Sequence, residues 1–217
     1  MKLLIFGASG KCGTWATRLA AERGFSVTAF VRPATQFVPP PSVAVIRGDV
    51  LSAGDVAAAM DGQQVVLSCL GPQRVNPANP FSPLKSPDHF CEHSATVLAA
   101  AARKAGIVRL GAISAAGVAD SEPLLPAAMR WLLRHSTIGP MYADLARMEH
   151  VYGSSGLDWF AVRPVTLING APSRRAKEVP RFGMTSVIGR ADVAGFLLSM
   201  LEQPNHVSSR TPLIGWW

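Results

Sequence analysis

Met1 to Gly13 reads MKLLIFGASGKCG, and the fold is decided by how this stretch is read. Leu3, Leu4, Ile5 and Phe6 form a short apolar run without polar alternation, as expected of a strand buried on both faces of a parallel sheet. Gly7, Gly10 and Gly13 follow in the spacing G-x-x-G-x-x-G. Beyond them Trp15, Ala16, Leu19 and Ala20 recur at helical spacing between Thr14 and Arg23. Strand, glycine turn and helix in that order is the context that dinucleotide binding requires. Glycine turns tightly and has no side chain, so backbone N–H groups can approach a pyrophosphate while the helix dipole favours its charge. The blander reading of the same stretch is a tight strand-to-helix turn that holds nothing.

Composition bounds the rest. A chain of 217 residues with 48% hydrophobic and 16% charged residues can bury one sizeable core, so a single globular domain over 1–217 is expected. No apolar run reaches the ~20 residues of a membrane helix, and the N-terminus lacks the cleavage pattern of a signal peptide. Cys12, Cys69 and Cys91 are odd in number and lack C-x-x-C spacing, which points to reduced thiols and a cytoplasmic location. The net charge of +7 admits two explanations, nucleic acid or a phosphorylated cofactor with an anionic substrate. The basic residues are mostly scattered, and the local cluster Arg174, Arg175, Lys177 and Arg181 has no interleaved aromatics. A small-molecule partner is therefore expected, with neither nucleic acid nor membrane, and nothing in the chain fixes an oligomeric state.

Working outward, Val27–Val31 predicts the second strand, ending at Arg32-Pro33. Folds that bind NAD place an acid about 20 residues past the glycine loop, on the ribose 2′-hydroxyl. Arg32 stands there instead, either as a partner for a 2′-phosphate or as a solvated arginine at a strand end. NADP is favoured, because phosphate recognition accounts for both the missing acid and the arginine. Val43–Ile46 predicts a third strand closed by Gly48-Asp49-Val50, where Asp49 either meets the adenine amino group or caps the turn before Leu51. A helix over 53–60 and a buried strand over Val65–Leu70 follow, ended by Gly71-Pro72 at the edge where a nicotinamide would lie. The segment 72–87 holds Pro72, Pro77, Pro80, Pro83 and Pro87 with almost no periodicity and predicts a functional or mobile loop. A helix from about Asp88 to Ala105 and a strand over Val108–Ile113 are next, the strand ending at Ser114. The segment 118–140 predicts an insertion with a short helix over 126–134, and a helix from about Tyr142 to Tyr152 follows. Trp159–Val162 predicts the sixth strand, 171–184 a basic irregular lid, Arg190–Leu201 a helix, and Thr211–Ile214 a last strand. The alternation implies an α/β fold with a doubly wound, mainly parallel sheet of the Rossmann kind.

GASGKCG (7–13), Val31-Arg32, GDV (48–50), ISAAG (113–117), ARMEHVYGSSGLDWFAVRP (146–164) and GRADVAGFLLSML (189–201) stand in this order along nearly the whole chain. As a set they resemble the atypical short-chain dehydrogenase/reductases, in particular the group with biliverdin-IXβ/flavin reductases and NmrA-like NADP-binding proteins. The resemblance implies that NADP(H) is held by Gly7, Ser9, Gly10, Lys11, Cys12, Gly13, Arg32, Asp49, Val50, Leu70, Gly71, Pro164 and Val165. Ser114 falls at the family's serine position, as a hydrogen-bonding group for substrate or nicotinamide or as a plain strand-end serine. Glu149 resembles a residue that holds the Arg163-Pro164 turn.

One departure matters. The superfamily's Tyr-x-x-x-Lys pair uses lysine to lower the tyrosine pKa. Here Ala146 stands four residues after Tyr142 and Gly156 four after Tyr152, so the pair is absent. Tyr142 remains a catalytic candidate alongside Ser114, with a packing role as its alternative. His89 and His93 flank Cys91 and Glu92, but a zincin helix needs Glu where Phe90 stands, so a polar helix entrance is expected and no metal. The function expected is an NADPH-dependent reductase of a flavin-, quinone- or tetrapyrrole-like acceptor; the alternative is an NADP(H)-binding sensor.

Overall fold

A computed structural model of the chain describes residues 1–107, 109–203 and 210–216. In chain order its elements are β1 (Lys2–Phe6), α1 (Lys11–Glu22), β2 (Ser26–Val31), β3 (Ala44–Arg47), α2 (Ala53–Met60), β4 (Val65–Ser68), α3 (Phe90–Lys104) and β5 (Arg109–Ile113). A 3-10 turn over Ala119–Leu124 then leads to α4 (Ala127–His135), α5 (Ile138–Gly153), β6 (Trp159–Pro164) and β7 (Thr166–Ile168). The chain continues through β8 (Ala176–Glu178), β9 (Val187–Gly189), α6 (Arg190–Glu202) and β10 (Leu213–Trp216).

The main sheet has the order β3-β2-β1-β4-β5-β6-β10-β8, and β7 pairs with β9 apart from it. Every neighbouring pair in the main sheet is parallel except β10 with β8. Alternate side chains of β1 leave by opposite faces, as the pleat requires. Leu3 and Ile5 join the core under α1 and α6, with Ala16 and Leu197, whereas Leu4 and Phe6 join the core under α3 and α5, with Leu98 and Met148. Leu3, Leu4, Ile5 and Phe6 are fully buried, and Lys2 at the start of β1 is exposed. This is a doubly wound α/β sheet forming one domain.

Several boundaries differ from the sequence expectation. The strand read as Val65–Leu70 stops at Ser68, which leaves Cys69 and Leu70 as edge backbone. The helix expected at Tyr142 begins at Ile138, because Pro140 falls in its first turn, where a missing N–H costs no helical bond. His89 takes a left-handed conformation (φ 56°) and starts α3 later than expected. The stretch 171–184 is not wholly irregular, since it supplies β8, paired antiparallel to β10. Val108, the expected first residue of the fifth strand, lies outside the described residues.

Two polar hubs hold the C-terminal half. Arg163, 3% exposed on β6, donates from Nε and Nη2 to the two Glu149 carboxylate oxygens on α5 (3.0 and 2.6 Å), and Nη2 also reaches Asp120 (2.7 Å). Burial alone would lower the Arg163 pKa, but its bonds to Glu149 and Asp120 hold it above the ordinary value. Asp192 in the first turn of α6 accepts from Ser173 N and Oγ, Arg174 N and Trp216 Nε1 at 2.5–2.9 Å. Burial would raise the Asp192 pKa, and these donors outweigh it and keep the carboxyl below its usual range.

A buried ion pair left with one member is costly. Glu149→Gln should lower the unfolding free energy by ~3–5 kcal/mol in urea titration. Asp120→Asn, at a carboxylate whose side chain is 82% exposed, should cost no more than ~1 kcal/mol.

Candidate functional site

The carboxyl ends of β1 and β4 form the switch point of the sheet, the place where open α/β sheets bind ligands. Gly7 turns the chain there with φ +72°, and a Cβ on it would stand 2.9 Å from the Cys69 carbonyl oxygen. Gly10 N donates to Gly7 O (2.9 Å), closing the turn. A Cβ on Gly13 would overlap that same Gly7 carbonyl, so only glycine lets the helix sit so close. Gly10 is the N-cap of α1, with no side-chain cap and no acid in the first turn. The N–H groups at the start of α1 have no intrahelical acceptor. An uncapped N-terminus at a turn whose Gly7 and Gly13 leave no room for a Cβ fits a pyrophosphate, and no carboxylate of the first turn competes with it. Ser9 and Cys12 are half-buried in this turn and Lys11 is exposed beside it. Burial raises the Cys12 thiol to about 11 against the opposing charge of Arg190, so it stays protonated at neutral pH.

Arg32 is exposed at the carboxyl end of β2, and its guanidinium has no partner among the described residues. The turn that carries it is held from β3, where Arg47 Nη1 donates to the carbonyls of Pro33 (3.0 Å) and Thr35 (2.9 Å). Asp49 Oδ1 accepts from Leu51 N (3.0 Å) within the turn. Val50 is 7% exposed and packs in the core with Phe6 and Phe30, so only its backbone faces the edge. Leu70 and Gly71 are half-buried just past β4.

Ser114, Tyr142, Pro164 and Val165 come together, with Ala115, Ala116 and Thr166, in a cleft of about 280 Å³ at the ends of β5 and β6. Its floor is backbone-rigid, with Ser114 N donating to Val162 O (2.8 Å), Ala116 N to Pro164 O (3.0 Å) and Val165 N to Ile214 O (3.0 Å). Ser114 is 5% exposed and its Oγ has no hydrogen-bond partner among the described residues. The walls come from the three segments read as lids: Arg74 from 72–87, Met129 and Ile138 from 118–140, and Phe182 from 171–184. The first of these is internally bonded, with Arg74 bridged to Leu84 and Val75 N donating to Pro83 O (3.0 Å). The Thr137 hydroxyl, 2.7 and 2.8 Å from the carbonyl oxygens of Pro80 and Ser82, ties it to the second.

Tyr142 is half-buried, and burial lifts its phenol above the ordinary range while the charge of Arg74 opposes the rise. Tyr152 is 1% exposed, packed in the core and bonded to Ser68, with its phenol pushed far up by burial. Of the two tyrosines only Tyr142 lines the cleft. Arg74, Arg47 and Phe182 were missed by sequence reasoning. An arginine two residues past Gly71-Pro72 was the one signal for Arg74, and nothing local distinguishes the other two. His89 stacks on His93 (5.8 Å between centroids) with Nδ1 2.6 Å from Glu92, and among the described residues no three His, Cys, Asp or Glu side chains stand together as a metal site.

Residues 7–204 match the family model described as NAD(P)H-binding. ChuY, an anaerobilin reductase from Escherichia coli O157:H7, superposes with a TM-score of 0.77 at 23% identity, over 99% of this chain and 96% of that one. A short-chain dehydrogenase/reductase from Veillonella parvula in complex with NADP has a TM-score of 0.77 at 17% identity, over 99% and 94%. The oxidoreductase ylbE from Lactococcus lactis gives 0.79 at 16% identity, over 100% and 91%. At these identities the likeness is one of fold. No helix among the described residues is long and apolar enough to cross a membrane.

A Cβ on Gly13 would strike the backbone of Gly7 and Ala8, which cannot rotate away as a side chain can, so relief requires the turn to open. Gly13→Ala should cost ~1–3 kcal/mol of stability in urea titration, the range for overpacking, and weaken NADPH binding in a fluorescence titration.

Proposed function

The chain belongs to the NAD(P)H-binding family, and on that footing we propose that it is an NADPH-dependent reductase of a small, flat acceptor of the flavin, quinone or tetrapyrrole kind. The observation that carries the reading is the cleft itself: Ser114, its Oγ unpartnered among the described residues, and Tyr142 both line it, on the same carboxyl edge of the sheet as the glycine turn. ChuY, a tetrapyrrole reductase of the same fold, supports the acceptor class.

In this reading the α1 N-terminus with Gly7, Ser9, Gly10, Lys11, Cys12 and Gly13 binds the pyrophosphate. Arg32 pairs with the 2′-phosphate, its turn being fixed by Arg47. Asp49 and the Val50 backbone border the adenine, and Leu70, Gly71, Pro164 and Val165 border the nicotinamide. Bound NADPH supplies a hydride at its nicotinamide ring. The chain orients the acceptor, with the Ser114 hydroxyl as a hydrogen-bonding group and Met129, Ile138 and Phe182 excluding water. Tyr142 keeps its proton at neutral pH and serves as a donor that orients rather than ionises; the proton that accompanies the hydride comes from water. Positioning of this kind supplies much of the barrier reduction in reactions between two held partners. The lack of a lysine near Tyr142 is the feature that would suit a cofactor sensor instead.

NADPH consumption with a panel of flavins, quinones and linear tetrapyrroles tests the proposal, and tight NADPH binding without turnover would establish the sensor. Tyr142→Phe should cost less than the ~10²–10⁴-fold loss that follows removal of a general acid, and a thousandfold collapse at unchanged NADPH affinity would restore Tyr142 as the acid. Arg32→Ala should weaken NADPH binding by ~1.5–3 kcal/mol, the worth of a hydrogen bond to a charged group, and leave NADH binding nearly unchanged. Equal losses for both cofactors would show that Arg32 does not read the phosphate.

A further inference from the structure

We propose that the cleft takes an organic carboxylate, with Arg74 and Ser114 holding the carboxylate oxygens and the apolar walls holding the body of the molecule. Arg74 is the one charged side chain among the residues that line the cleft. Its Nη2 donates to the Pro77 carbonyl (2.5 Å) and its Nη1 rests 3.9 Å from Met141 Sδ, but Nε is buried with no acceptor among the described residues. Ser114 Oγ is the second buried polar atom of the cleft without a partner. A guanidinium N–H can only donate, and a buried donor left unmade costs its full desolvation. No Asp or Glu lines the cleft to neutralise Arg74. Two unmet donors, one of them cationic, on residues that line a space walled by Met129, Ile138 and Phe182 suit an apolar molecule with one anionic end.

As a statement of substrate class this rests on the reductase reading, whereas the carboxylate site itself can be tested without turnover. The probes are 2-naphthoate and its uncharged counterpart methyl 2-naphthoate, titrated by fluorescence into the protein loaded with NADP⁺. Wild type should bind the acid ~10–100-fold more tightly than the ester, the factor expected of hydrogen bonds to a charged group. Arg74→Gln should abolish that preference by weakening the acid alone, and Arg74→Lys should keep part of it. Because Arg74 also tethers the Pro77 carbonyl, Ser114→Ala provides a second arm that leaves the loop intact and should again weaken the acid and spare the ester. NADPH affinity should be unchanged in Arg74→Gln. Equal binding of acid and ester by wild type, no binding of the acid, or a preference that survives Arg74→Gln would each overturn the proposal. A fall in NADPH affinity with no acid preference would assign Arg74 to a cofactor phosphate and overturn it too. Acid preference in a protein that oxidises no NADPH with any acceptor would uphold the carboxylate site and defeat the reductase; turnover of uncharged acceptors without acid preference would do the reverse.

Discussion

The Gly7 carbonyl is where three backbones meet, and the architecture of the edge depends on that contact. It accepts the Gly10 N–H, occupies the space a Gly13 side chain would need, and belongs to a residue whose own Cβ would strike the end of β4. Side chains cannot substitute for such closeness. Because α1 is drawn against β1 and β4 in this way, its uncapped N-terminus is aimed along the crevice at the switch point. Fold and anion-binding potential are therefore one geometric fact, since the closeness that forces glycine also leaves the first-turn N–H groups exposed to a ligand.

The other half of the edge is held by electrostatics instead of close backbone packing. Arg163 and Glu149 pin β6 to α5 beneath the cleft, and Asp192 gathers the 173–174 backbone and Trp216 around the start of α6. Arg175 lies over the Trp216 ring, 4.3 Å from its centroid, and extends this hub into β8. The floor of the cleft is consequently strand backbone, and only its walls are loops. That division suits a site that must hold geometry to a fraction of an ångström at the base while differing in what it admits from above.

Much of this was legible in the sequence where one residue type admits one structure. The unbroken run at Leu3–Phe6 and the glycines after it have a single compact solution, and the strand ends they predict collect the edge residues from Arg32 to Val165. The rest depends on partners remote in sequence. Ala176–Glu178 has no strand signal of its own, and it pairs only because Leu213–Trp216 presents an open edge. Asp192 reads locally as an ordinary helix-start acid, and its four donors arrive from 173, 174 and 216. The bridge between Arg74 and Leu84 gives shape to a loop whose prolines conceal any period. Where a loop arginine points is set by such closures, which is why Arg74 escaped the sequence reading.

The chemistry of Tyr142 follows from what stands near it. A lysine one helical turn away would favour the phenolate by direct Coulomb attraction; here burial disfavours it and the charge of Arg74 only partly offsets that effect. The phenol thus remains a hydrogen-bond donor at neutral pH, and a step that took its proton would leave a poorly solvated anion in an apolar recess. Under the proposed reduction the cheaper source is water, with the hydroxyls of Ser114 and Tyr142 fixing orientation. Burial keeps Tyr142 protonated, and with no Asp or Glu among the described residues that line the cleft the charge of Arg74 is left for an anion that comes from outside.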